Sequence, residues 1–150
     1  MCAKEKNTHP NYILSLATGK CPRCRRGNMF VKKSAWQKGF LKMHDHCGVC
    51  GQPMQIEPGF YYGTGYVSYA LTVALSVASF IAWWVLIGFS LDDNSVFTWL
   101  LANALMLIVM QRWLMRLSRT IWLSFFVRYN KNWSTEAVVL PERLDKRVSI

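Results

Sequence analysis

The alternation of polar and apolar stretches divides the chain into three segments. Residues 1–58 are polar and basic, with glycine and proline placed too closely for a long helix. Residues 58–91 carry no charged side chain, and residues 94–111 form a second run without charge. From Arg112 onward, arginines recur at helical spacing among apolar residues. The pattern predicts a small polar domain over 1–58, two apolar helices within 59–113, and a basic region over 114–150.

The two apolar runs have the length of membrane spans. The first predicted helix, 66–89, is long and almost wholly apolar, and a span needs about twenty such residues. A buried helix of a soluble protein is the alternative, but a chain of 150 residues has little else to bury it. Aromatic residues suited to membrane interfaces flank it: Tyr61, Tyr62, Tyr66, Tyr69, Trp83 and Trp84. The short link 90–93 makes the second helix, 94–111, an antiparallel neighbour.

Charge indicates how this hairpin is oriented. Of the 18 basic residues, ten lie at or before Lys42 and eight at or after Arg112, while the link contains Asp92 and Asp93. Basic flanks favour the cytoplasmic side, so both termini are predicted in the cytoplasm and the link 90–93 outside. The net charge of +10 also suits nucleic-acid binding, but flanking charge of a membrane protein is the favoured interpretation.

The arginines after the second run have two interpretations. Arg112, Arg116 and Arg119 fall within a narrow arc of a helix, with apolar residues elsewhere around it. This predicts an amphipathic helix lying along the cytoplasmic interface, with arginines at the lipid headgroups. Alternatively, these residues only mark the end of the second span. Residues 131–150 are predicted to be a loose tail.

Two cysteine pairs carry the strongest chemical signal. They are Cys21, Cys24, Cys47 and Cys50, two C-x2-C pairs separated by 22 residues. This spacing is typical of a tetrahedral four-cysteine zinc site within a zinc-ribbon-like β knuckle. The knuckle is predicted to contain a short helix over 12–17 and strands over 29–33 and 38–44. In a reducing cytoplasm such cysteines bind metal more often than they form disulfides.

The surroundings of the cysteines support a structural metal. Four thiolates around a divalent ion carry a net charge of about −2, which neighbouring cations offset. The cations around the first pair are Lys20, Arg23, Arg25 and Arg26. A small residue after each pair lets backbone N–H groups approach the thiolates; Gly51 provides one, whereas Arg25 replaces it after the first pair. A full shell leaves no position for substrate, so no enzymatic activity is predicted.

Other roles for these residues are less favoured. The sequence CPRC resembles a redox dithiol, but such a dithiol begins a helix, and here a turn follows. His44 and His46 could replace a thiolate, although with four cysteines present we expect ordinary loop histidines. Cys2 is predicted to be a free thiol.

Within the spans, small and hydroxylated residues form separate stripes. The first helix has one stripe of Ala70, Ala74, Ala78 and Ala82, and another of Ser68, Thr72, Ser76 and Ser79. One stripe could face the second helix, leaving the other for a second copy or another protein. Asn103, a costly polar residue at this depth, is expected to bond a neighbour.

The chain resembles the uncharacterised bacterial family called domain of unknown function 983. The resemblance lies in four segments: CPRCRRGNMF from Cys21, HDHCGVCG from His44, EPGFYYG from Glu57 and RLSRTIWLSFFVRY from Arg116. It covers about residues 19–129, and the PGFYYG form is similar to the Bacteroidetes-type branch. The resemblance implies cysteine knuckles and two membrane helices in a bacterial inner membrane. Neighbouring genes for haem-copper oxidase subunits and their assembly imply a role near respiratory complexes.

The favoured hypothesis is a non-enzymatic accessory, assembly or scaffold protein that docks on a larger membrane complex through its zinc knuckle. The alternatives are a membrane-tethered zinc ribbon that binds nucleic acid, and a metal-handling chaperone. The expected partners are the lipid bilayer and that complex, and a homo-oligomer is possible.

Overall fold

A computed structural model describes residues 11–88 and 94–138 of the chain. Helix α1 spans Tyr12–Ala17, a short 3-10 helix spans Phe60–Gly63, α2 spans Thr64–Ile87 and α3 spans Ser95–Phe126. The fold is mainly helical, and the bounds of α1 confirm the predicted short helix. The predicted link 90–93, Cys2 and the end of the predicted tail lie outside the described residues.

The predicted strands of the knuckle are wrong. The described residues contain only isolated antiparallel bridges, such as Phe30 with Met43. The predicted pairing partners do meet, since the Val31 N–H donates to the Lys42 carbonyl and the His44 N–H to the Met29 carbonyl, at 3.0 and 3.1 Å. The ladder stops there because residues 32–41 turn away to bond with α3.

Helices α2 and α3 form an antiparallel hairpin. Their lengths are about 36 and 48 Å at 1.5 Å per residue. Both are long and apolar enough to cross a membrane, and none of either apolar window is buried inside the protein. A core helix of a soluble protein would be mostly buried, so that alternative does not fit.

The hydroxyl stripe faces α3. Asn103 Nδ2 donates to Ser76 Oγ at 3.3 Å, and Ser79 Oγ donates to Asn103 Oδ1 at 3.1 Å. The hydroxyl stripe is half-buried along its length, whereas the alanine stripe is exposed. The expectation that Asn103 bonds a neighbour is confirmed, and the hydroxyl stripe is the one that packs within the hairpin.

The C-terminal arginines continue α3 instead of forming a separate interfacial helix. Helix α3 runs without a break through Gln111 to Phe126 and therefore extends about 22 Å beyond the charge-free run. The separate helix lying along the interface is thus a wrong prediction. The extension instead provides a post against which the cysteine-containing segment packs.

Candidate metal centre

The structure brings the four predicted ligands together. The Sγ atoms of Cys21, Cys24, Cys47 and Cys50 all lie within 4.8 Å of one another. The Cys21–Cys50 and Cys24–Cys47 sulfur pairs are each 3.7 Å apart, and none of the four forms a disulfide. A tetrahedron with metal–sulfur bonds of about 2.3 Å has edges of about 3.8 Å. The four sulfurs therefore have the spacing that a metal ion with four thiolate ligands requires.

The two C-x2-C turns have nearly the same backbone. The Arg25 N–H donates to the Cys21 carbonyl at 2.7 Å, and the Gly51 N–H donates to the Cys47 carbonyl at 2.9 Å. Both residues that follow the pairs are left-handed, with φ of 55° at Arg25 and 69° at Gly51. Arg25 thus adopts the conformation that glycine normally supplies, and the first knuckle is built like the second.

Gly27 lets the two halves of the site approach each other. A Cβ at this position would lie 2.3 Å from Cys47 Sγ, closer than any real contact. Its N–H also donates to Cys24 Sγ at 3.5 Å. Gly27 therefore contacts one sulfur of each pair, and a side chain there would push the pairs apart. The sequence showed this glycine two residues beyond the expected position, without showing what it approaches.

Hydrogen bonding and burial set how readily the thiols lose their protons. Hydrogen bonds with Cys24 and Cys47 raise the pKa of Cys21, while hydrogen bonds from Cys21 and Cys24 lower the pKa of Cys47. Burial raises the pKa of Cys50 to about 11. Without a metal, the cluster shares protons between its sulfurs. A cation that binds all four must displace those protons, as metals do at thiolate sites.

Arg23 is a buried cross-link. Its side chain is 2 % exposed, and Nη1 donates to the Cys50 carbonyl at 3.3 Å. Nη2 donates to the carbonyls of Glu136 and Ala137, each at 2.7 Å. The Asn130 N–H donates to the Arg23 carbonyl at 3.1 Å. The start of the predicted loose tail is therefore attached to the first knuckle through backbone bonds.

The other cations near the first pair also have partners within the protein. The Arg25 guanidinium lies over the Tyr129 and Tyr12 rings, at 4.1 and 5.1 Å, and the Arg26 guanidinium lies 6.0 Å from the Trp133 ring. Each arginine of the cluster thus holds a C-terminal segment or α1 against the metal-binding region. Their expected place near the thiolates is confirmed, but the contacts are more specific than general charge balance.

The α3 arginines attach the knuckle to the hairpin. Arg112, Arg116 and Arg119 donate to backbone carbonyls in residues 32–41: Arg112 to Trp36 at 3.2 Å, Arg119 to Leu41 at 3.0 Å, and Arg116 to both Lys32 and Lys33. We call these three residues the arginine clamp. Sequence analysis recognised their common helix face but assigned it to lipid headgroups. No local signal identifies a backbone carbonyl as the partner.

An aromatic cluster joins the knuckle to the base of the hairpin. Trp122 Nε1 donates to the Phe60 carbonyl at 2.8 Å, and the Phe60 ring packs edge-on against Phe126 at 5.0 Å. The Tyr61 hydroxyl donates to the carbonyl of Met54, whose side chain is fully buried beside the cysteines. The segments EPGFYYG and RLSRTIWLSFF therefore contact each other directly.

The two histidines stay outside the cluster. His44 and His46 are exposed, and the candidate metal-binding group within the described residues consists of cysteines alone. The four-sulfur arrangement therefore needs no histidine ligand.

An apolar two-helix hairpin with a four-cysteine knuckle fixed to one end defines a class of small membrane-type proteins. The chain belongs to the family described as "Protein of unknown function (DUF983)", which matches residues 37–128. The match includes Cys47, Cys50, the hairpin and the arginine clamp, but it begins after Cys21 and Cys24. No curated protein and no solved structure matches the chain.

Proposed function

We propose that this is a non-enzymatic accessory protein of the bacterial inner membrane. In this proposal a structural zinc ion holds the knuckle as a fixed docking surface for a larger membrane complex. The observation that carries the proposal is the rigid attachment of a four-cysteine site to the cytoplasmic extension of α3.

The donor set supports a structural zinc ion. Four thiolates at tetrahedral spacing suit Zn²⁺ and fill its usual coordination shell. Three of the cysteines are buried and Cys50 is half-buried. A closed and buried shell holds a fold together but offers no open position where substrate could bind.

The attachment supports a docking role. The arginine clamp, the Trp122–Phe60 bond and the Arg23 cross-link hold the knuckle from three sides. Such a surface has little conformational freedom to lose when a partner binds, which favours association. All Lys and Arg among the described residues lie at the knuckle end of the hairpin, which supports a cytoplasmic knuckle.

The two alternative functions are less well supported. Binding of nucleic acid requires accessible cations, whereas Arg23, Arg25 and Arg26 are engaged within the protein. A metal chaperone requires an ion that a partner can reach, whereas the cysteines are packed under Arg23 and the segment 130–137. The respiratory context comes from the family resemblance alone and indicates which complexes to examine first.

The test compares tagged variants at native expression, extracted from their own membranes in mild detergent. We expect wild type to carry one zinc per chain and to migrate in an assembly that contains the same larger membrane protein in each preparation. Cys47→Ser with Cys50→Ser should lose the zinc and leave the assembly while remaining in the membrane.

Cys2→Ser is the matched control, because it removes a thiol that the four-sulfur cluster does not include. It should keep both zinc and assembly. A zinc-loaded wild type that always migrates alone would contradict the docking role, and metal-dependent binding to nucleic acid at low salt would favour that alternative.

A further inference from the structure

A groove runs between α1, residues 28–35 and the part of α3 just beyond the charge-free run. It consists of two adjoining cavities of about 350 and 260 Å³ that share Thr18, Gly19, Phe30, Lys33 and Arg116 in their walls. We call it the basic groove, defined by Lys20, Lys32, Lys33, Trp113, Arg116 and Leu117.

One end of the basic groove is strongly positive. Four cations line the larger cavity, and neither cavity has an acidic residue in its wall. Lys20 Nζ donates to Asn28 Oδ1 at 2.7 Å, which holds the ammonium at the wall while leaving further donors for a ligand. The side chains of Lys32 and Lys33 are exposed. This arrangement suits an anion with several acceptor oxygens.

Arg116 joins the two cavities and orients the lysines. Its guanidinium bonds the carbonyls of Lys32 and Lys33 and lies 4.3 Å from the Phe30 ring. Its Nε atom is buried without a hydrogen-bond partner among the described residues. A buried donor left in this state is costly, and an anionic oxygen would satisfy it.

The other end of the groove is apolar and lies near the membrane boundary. Arg112 is the first charge after the second apolar run, and Trp113 and Leu117 follow within about 8 Å along the helix. Trp36, whose carbonyl Arg112 bonds, is 62 % exposed, as suits an indole at a membrane–water interface. The apolar end thus lies where the glycerol and first acyl carbons of a lipid would be.

We propose that the basic groove binds the phosphate headgroup of an anionic phospholipid, with an acyl chain against Trp113 and Leu117. A free phosphate would fill the positive end but would leave the apolar end uncovered, so the paired ends select a lipid. This inference goes beyond the proposed function and requires from it only that the hairpin crosses a bilayer.

The test titrates delipidated, metal-loaded protein in detergent with phosphatidylglycerol or phosphatidylcholine and counts bound lipid by native mass spectrometry. We expect wild type to bind one phosphatidylglycerol more tightly than phosphatidylcholine. Each lysine near an anionic headgroup contributes about fivefold in affinity, so Lys32→Gln with Lys33→Gln should weaken that binding on the order of tenfold or more.

The control is Lys38→Gln with Lys42→Gln, which removes the same charge from the same loop outside the groove. It should bind like wild type, and an equal loss in both double variants would overturn the proposal in favour of unspecific charge attraction. Equally tight binding of soluble glycerol phosphate would overturn the lipid as occupant. Metal content and assembly size, measured on the same samples, separate failure of this inference from failure of the docking role.

Discussion

At the scale of single residues, the first knuckle shows how an arginine can occupy a glycine position. A left-handed backbone costs a residue with a side chain roughly 1–2 kcal/mol. Arg25 adopts it with φ of 55° and places its guanidinium over Tyr129 and Tyr12. Such contacts contribute about 0.5–2 kcal/mol each, so they offset the backbone cost. The departure from the usual CPxCG form therefore serves to attach α1 and the C-terminal segment.

Gly27 supports a prediction at the same scale. In Gly27→Ala the new Cβ would lie 2.3 Å from Cys47 Sγ, so the two cysteine pairs must separate. We expect metal affinity to fall roughly 10–100-fold, as for other changes beside a metal ligand. Competition with a chromophoric chelator measures this affinity.

Gly48→Ala is the matched control, since it lies in the second C-x2-C turn and its Cβ would meet nothing within 4 Å. It should bind metal like wild type. If Gly27→Ala does the same, the close approach of the pairs is not needed for the site.

At the scale of elements, the base of the hairpin depends on one close contact between α2 and α3. Gly63 immediately precedes α2, and the Trp122 indole packs directly on it while donating to the Phe60 carbonyl. Deeper in the hairpin, the contacts are the Asn103 bonds and the Phe80–Trp99 ring pair at 5.2 Å. Polar bonds between membrane helices contribute only about 0.6–2 kcal/mol each, so close packing matters greatly.

Gly63→Ala tests that contact. A Cβ there would lie 2.2 Å from the Trp122 ring, so the indole must move and lose its hydrogen bond. We expect the free energy of unfolding to fall by about 1–3 kcal/mol, the usual cost of overpacking. Thermal unfolding in detergent, followed by tryptophan fluorescence, measures the change.

Gly65→Ala, two residues further along the helix, is the control. Its Cβ would meet nothing within 4 Å, and alanine favours a helix over glycine by up to about 1 kcal/mol. Its unfolding midpoint should stay the same or rise. Equal destabilisation of both variants would mean that the contact with Trp122 is not the cause.

At the scale of the whole molecule, the metal site holds the C-terminal segment in place. Arg23 lies between the second knuckle and residues 136–137, and Asn130 bonds the Arg23 backbone. The knuckle is in turn held to α3 by the arginine clamp. Loss of the metal is therefore expected to loosen parts of the chain that are far apart in sequence.

Chelation of the metal should release residues 130–138 together with the knuckle. We expect faster amide hydrogen exchange in residues 20–31, 43–54 and 130–138, while residues 70–87 and 95–111 keep their protection. The reason is that the hairpin bonds do not involve the cysteines, whereas the C-terminal bonds pass through Arg23. Unchanged exchange in residues 130–138 after complete metal removal would contradict this link. Re-addition of zinc should restore protection.

Several features could be predicted from sequence because they are local. Charge-free runs of helical length indicate the hairpin, since every residue of a span faces the same apolar medium. The C-x2-C spacing indicates the metal-binding cysteines, because two sulfurs of one tight turn can reach one ion. Asn103 is equally local, since its amide is costly at that depth without a partner.

The tertiary structure decided where the arginines and the C-terminal segment bind. Helical spacing puts Arg112, Arg116 and Arg119 on one face whether that face meets lipid or protein, so the pattern alone does not distinguish the two. Their partners are backbone carbonyls 76–84 residues away, and every residue of the chain offers such a carbonyl. The same holds for Arg23 and residues 136–137. The sequence by itself therefore determined a hairpin and four metal-binding cysteines, whereas only the tertiary structure determined that the arginines join them into one unit.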